Sequence, residues 1–109
     1  MAGTTGNQYY RPGELRFDEV EWDHAKAETN VEKHDVAFID AAKVFLDIDR
    51  IEQISPDGRS PELRWKTVGY SGDLLIAVIF TIRGENLRII TARRASRRER
   101  REYGSGAPL

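Results

Sequence analysis

A chain of 109 residues with 39% hydrophobic side chains is long enough for one domain with its own core. It contains no cysteine, which excludes a disulfide framework and a thiolate metal site. Its 17 Lys and Arg nearly balance 18 Asp and Glu, but the charge is sorted: residues 1–62 carry 14 acidic and 7 basic side chains, residues 63–109 carry 4 and 10.

Residues 1–14 read as a loose leader, followed by a single domain over 15–103 and a short tail over 104–109. The longest apolar run, Leu74 to Phe80, is strand-sized and too short to span a bilayer, and the cytoplasm is the expected location. Leu15 to Glu21 alternates imperfectly and suggests a first short strand. Asp23 is placed to cap a helix from His24 to about His34, with Trp22 able to staple onto Ala27. Lys26, Asn30, Lys33 and His34 fall on one face of that helix. Asn30 so placed is suited to bonding the backbone of a neighbouring segment. Asp35-Val36-Ala37 interrupts the pattern, and a second helix follows in which Phe38, Ala41, Ala42, Phe45 and Leu46 recur at core-facing spacing. Its N-cap position, Ala37, offers no acceptor.

From Arg50 the period changes to two, predicting strands at Arg50–Ser55, Glu62–Tyr70, Leu74–Ile82 and Asn86–Arg94. The short links between them, rich in Gly, Pro, Asp and Ser, force neighbouring strands antiparallel. Leu74 to Phe80 is apolar on both faces, which suits a central strand with helices on one side and a partner on the other. Ser96 and Glu99 form a capping box for a last helix ending near Tyr103. The expected class is therefore α+β, with N-terminal helices packed on an antiparallel β-sheet and a short C-terminal helix.

Chemistry in this chain is cationic. Seven arginines lie between Arg88 and Arg101, and guanidinium forks grip oxyanions bidentately. The two histidines, His24 and His34, are ten residues apart and form no metal motif, and neither a nucleotide-binding glycine loop nor a nucleophile elbow is present. No cofactor is expected. Arg64 precedes the central strand and Arg88 and Arg93 follow it, so their side chains can meet on one sheet face, with Lys33 and His34 approaching its rim. Such a set suits metal-free cleavage of RNA, in which a 2′-hydroxyl loses a proton, the phosphorane is neutralised and the 5′-oxygen gains a proton. Arginine cannot be the base, but His34 is poised for proton transfer. Plainer readings stand beside these. His34 can serve the helix dipole, and Lys33 can be simply solvated. Trp22 and Trp65 suit the core, and Arg97, Arg98, Arg100 and Arg101 suit a solvated or partner-binding face. The residues alone reach a basic α+β domain that binds nucleic acid.

The chain resembles the BrnT family of toxins from bacterial type II toxin–antitoxin systems. The similarity runs through Glu21-Trp22-Asp23, Lys26, Asn30, Lys33-His34, Val36, Phe38 and Ala41-Ala42. It continues through Glu62, Arg64-Trp65 and Gly69, and closes on Arg88-Ile89-Ile90-Thr91-Ala92-Arg93-Arg94-Ala95 and Glu99-Arg100. Ala37 stands where a capping serine is common, and Asp35 where a glycine often sits. The resemblance implies a RelE-like fold and a metal-independent endoribonuclease that inhibits translation and growth. It also implies neutralisation by a DNA-binding, BrnA-like antitoxin, in a heterotetramer. Carried onto this sequence, the catalytic candidates are Lys33, His34, Arg64, Arg88 and Arg93, with Glu62 a weaker one. The RNA- and phosphate-binding candidates are Arg64, Arg88, Arg93 and Arg94. The alternative is a non-catalytic basic module that binds nucleic acid or serves only as a scaffold for its antitoxin.

Overall fold

The computed structural model describes residues 20–55 and 62–105. The expected leader, most of the expected first strand and the end of the tail lie outside the described residues. The element order is β1 (Val20–Trp22), α1 (His24–His34), α2 (Phe38–Lys43), a 3-10 turn (Val44–Leu46), β2 (Ile51–Ser55), β3 (Arg64–Ser71), β4 (Leu74–Arg83), β5 (Asn86–Arg94) and α3 (Arg97–Ser105). The class is α+β, and the five strands form one sheet in the order β1-β5-β4-β3-β2.

The sheet is mixed rather than wholly antiparallel. Strands β2 to β5 pair antiparallel, as their short links require, whereas β1 pairs parallel to β5. Two helices separate β1 from β2, so no tight turn dictates its direction and it docks on the free edge of β5. β3 begins at Arg64, leaving Glu62 before the strand, and β2 begins at Ile51, leaving Arg50 before it.

Asp23 caps α1 as its position predicts, its carboxylate accepting the Lys26 N–H at 3.0 Å. The helix ends on Asp35, whose φ of 57° is the left-handed region and whose N–H bonds the Val31 carbonyl. α2 starts without a side-chain cap and tightens after Lys43 into the 3-10 turn. Phe38, Ala41, Ala42 and Phe45 are buried as the spacing predicts, but Leu46 is 53% exposed. Three residues per turn in place of 3.6 rotate Leu46 off the core face.

The main core lies between the sheet and α1–α2. Phe38, Phe45, Trp65, Ile76, Val78, Phe80, Leu87 and Ile89 meet there, with Trp22 and Ala27 packed against them. Phe45 meets Phe80 edge-on at 5.0 Å. β4 is the central strand, and its opposite face is covered by α3: Val68, Leu75, Ala77 and Ala95 form a second, smaller core under Tyr103. Gly69 lets the segment from Val44 to Arg50 lie directly on β3, since a Cβ there would stand 2.9 Å from Val44 Cγ1 and 3.0 Å from Arg50 Cβ. Tyr103 reaches the same segment, donating its hydroxyl to Asp47 at 2.7 Å, and Asp47 also accepts the Tyr70 N–H. These bonds outweigh the burial that would raise Asp47 and hold its carboxyl low.

Candidate phosphate-binding face

The register decides which cations share a face. Trp65 pairs with Phe80, and both belong to the main core, so Arg64 and Thr81 point to the other side. Thr81 pairs with Arg88, and Arg88 with Glu21. Arg64, Thr81, Arg88 and Glu21 therefore form one row across four strands, on the face away from α1 and α2. The backbones of Arg64 and Arg88 are separated by one intervening strand, about 10 Å, a span that two long guanidinium side chains can close around one phosphate. Lys66 lies on the same face, two residues along β3 from Arg64, and Arg93 pairs with Ala77 on that face as well. The expectation that Arg64, Arg88 and Arg93 share a sheet face agrees with this register.

Arg88, Arg93 and Lys66 are engaged by carboxylates of this chain. Arg88 Nη1 donates to Glu21 Oε2 at 2.7 Å, and Asn86 donates to the other oxygen of the same carboxylate. These two hydrogen bonds, the Asn86 one foremost, lower the Glu21 carboxyl below its ordinary value. Arg93 gives both terminal nitrogens to Glu99, at 2.7 and 2.9 Å, and Lys66 adds a third hydrogen bond at 2.8 Å. Glu99 also accepts the Ser96 N–H at 2.8 Å, while its own N–H donates to the Ser96 hydroxyl, completing the capping box. Burial would push this carboxyl up, but the bonds from Arg93, Lys66 and Ser96 override it and hold it far below the carboxylate range. The same pairing raises Arg93 further.

Lys33, His34 and Arg94 gather elsewhere, at the end of α1. β1 covers β5 only as far as Ile89. Beyond it the Asn30 side chain takes the place of a strand: Nδ2 donates to the carbonyls of Ala92 and Val36 at 2.8 and 2.9 Å, and Oδ1 accepts the Ala92 N–H and the Thr91 hydroxyl. Beside this junction a groove of about 310 Å³ is lined by Lys26, Thr29, Lys33 and His34 on α1 and by Ile90 and Thr91 on β5. The shared helix face of Lys26, Asn30, Lys33 and His34 is thus the face turned to β5. A break in register at Ile79/Phe80, where β5 carries one extra residue, places Ile90 at the groove. Arg94 pairs with Ile76, points to the side opposite Arg93, and stands 3.8 Å from Asp35. Glu62 binds Arg83 at 2.9 Å.

The structure adds Lys66, Glu21 and Glu99 to the residues singled out from sequence. Lys66 was legible from the two-residue period that starts at Arg64; the pairing of Glu21 with Arg88 and of Glu99 with Lys66 was not, because those residues lie 67 and 33 positions apart. Trp65 is buried in the core. Among the described residues, no three His, Cys, Asp or Glu side chains cluster as metal ligands would, and no helix is long and apolar enough to cross a membrane.

A family model described as the ribonuclease toxin BrnT of type II toxin–antitoxin systems matches residues 22–99. No curated protein matches the chain.

Proposed function

The chain belongs to the BrnT family of ribonuclease toxins, and from that premise we propose that it cleaves RNA without a metal by in-line attack of a 2′-hydroxyl. Arg64 and Arg88 hold the scissile phosphate from neighbouring sides. The 2′-oxygen loses its proton and bonds to phosphorus, the phosphorus–5′-oxygen bond breaks, and the leaving oxygen takes a proton. The products are a 2′,3′-cyclic phosphate and a 5′-hydroxyl. Proton transfer by Lys33 or His34 requires the RNA to cross the edge of β5 that β1 leaves uncovered past Ile89, from the row on one face to the groove on the α1 side. The observation that carries this reading is the row Arg64–Thr81–Arg88, which places two guanidinium groups on the sheet face away from α1 and α2.

A phosphate entering the row displaces Glu21 from Arg88, an exchange of one oxyanion for another at a partly exposed pair. Arg93 acts indirectly, because its fork is occupied by Glu99, and Arg94 contributes charge near the groove. The fold is read as RelE-like, the location as the cytoplasm and the antitoxin as a BrnA-like DNA-binding protein that closes a heterotetramer. All four rest on family membership.

Arg64→Ala or Arg88→Ala should lower RNA cleavage about 100-fold or more, the usual cost of losing one donor to a developing oxyanion, and should relieve growth arrest on expression. EDTA should leave the wild-type rate unchanged. His34→Gln and Lys33→Gln should separate the proton carriers, since only loss of the true carrier removes its limb of the pH profile. Full cleavage by both arginine variants, or abolition by EDTA, defeats the proposal.

One observation favours the second reading, a basic module that holds nucleic acid or its antitoxin without cutting. Arg88 and Arg93 are both paired with carboxylates of this same chain. That reading expects arginine variants with weakened binding and no cleavage products from the wild type.

A further inference from the structure

The four arginines on the outside of α3 are not used by the cleavage site. α3 is fastened to the sheet by its inner side: Glu99 is 3% exposed beneath it and Tyr103 is hydrogen-bonded to Asp47. Arg97, Arg98, Arg100 and Arg101 point to solvent. Among the described residues only Arg98 of these four has an acidic partner, Glu102 at 3.4 Å.

This arrangement works against the helix that carries it. Arg97 and Arg98 occupy its first turn, where the helix dipole disfavours cations. Arg97 faces Arg100 and Arg101 at spacings of three and four, and Arg98 faces Arg101 at three, so the like charges repel. Glu99, the acidic residue best placed to relieve them, is turned inward to Lys66 and Arg93. A local rule broken without local compensation marks a surface shaped by something other than folding. The helix also shows no exposed apolar side chain among its described residues, whereas protein interfaces are built around apolar and aromatic centres. Repeated single charges on a polar face fit a phosphate backbone instead.

We infer that the outer face of α3 binds the RNA strand beyond the scissile bond, so that the strand runs from the Arg64–Arg88 row past Lys66 and onto the helix. Lys66 and the foot of α3 meet at Glu99, so the two cationic areas are continuous. The inference rests on the ribonuclease reading for its ligand, but it concerns affinity and not the chemical step.

The test uses the full chain and a labelled single-stranded RNA whose 2′-hydroxyls are methylated, which cannot be cut by 2′-attack. The dissociation constant is measured against salt for wild type, for Arg97→Gln/Arg100→Gln/Arg101→Gln, and for Arg64→Ala. Each arginine–phosphate pairing removed should reduce the log–log salt slope by about 0.7, so the triple variant should be shallower by about 2, with a melting temperature no lower than that of wild type because the like-charge repulsion is relieved. Its cleavage of a dinucleotide, too short to reach α3, should equal that of wild type. A salt slope indistinguishable from wild type overturns the inference, as does a triple variant that binds RNA normally but loses its antitoxin. The Arg64→Ala arm keeps the two proposals apart. Undiminished cleavage by that variant counts against the catalytic assignment, while the slope of the α3 variant alone decides the helix.

Discussion

The Glu99 carboxylate takes hydrogen bonds from Arg93, Lys66 and the Ser96 N–H while almost wholly removed from solvent. Its folded value lies far below the ordinary glutamate value near 4.3. A depressed carboxylate contributes stability that is complete above its unfolded value and drains away as pH falls toward the folded one. Wild-type stability, followed by urea melts, should therefore decline steadily below about pH 4.5, and the decline attributable to this site should vanish in Glu99→Gln. At pH 7 that variant leaves two cations facing a neutral amide and should be less stable by about 3 kcal/mol, the typical cost of breaking a buried pair. A variant as stable as wild type at pH 7 removes Glu99 as the anchor of α3. The capping box was legible from Ser96 and Glu99 alone because a box spans a single turn. That the same carboxylate would also bind Lys66 was not, since that bond depends on strand register.

At the scale of elements, the junction of α1 with β5 is made by one side chain standing in for backbone. A three-residue β1 leaves the outer edge of β5 uncovered past Ile89, and Asn30 supplies both a donor and an acceptor to Ala92. Unpaired backbone groups in that buried position are costly. Asn30→Leu, similar in size but unable to bond, should destabilise the fold by about 3 kcal/mol and loosen the groove that holds Lys33 and His34. Denaturant unfolding checks the first effect, and loss of less than about 1 kcal/mol would show that water replaces the amide. The periodicity of α1 placed Asn30 on the same helix face as Lys33 and His34. That this face meets a strand edge follows from β1 running parallel to β5 and ending opposite Ile89, a register set by distant segments.

The molecule as a whole is held unequally on its two faces. One face of the sheet carries the large aromatic and aliphatic core under α1 and α2; the other carries a few small side chains under α3, helped by the Glu99 and Tyr103 bonds. Stability scales with apolar burial, so opening should be graded. In native-state hydrogen exchange, α3 amides should exchange at a lower free energy than those of β4, and more so at acid pH as Glu99 takes up its proton. Equal protection in both elements would show a single cooperative unit.

Much of this architecture is written locally. The caps at Asp23 and Ser96, the turn-rich links and the two-residue period of β2 to β5 are properties of neighbouring residues, and the sequence by itself determined them together with the family. It also determined that positive charge would collect in the second half. Only the tertiary structure decided that β1 runs parallel to β5, that Leu46 leaves the core, and that Arg93 and Arg94 turn to opposite faces. It alone placed Arg64 and Arg88 in one row. These depend on register and on packing between distant segments, where one residue of slip reverses the direction of every side chain.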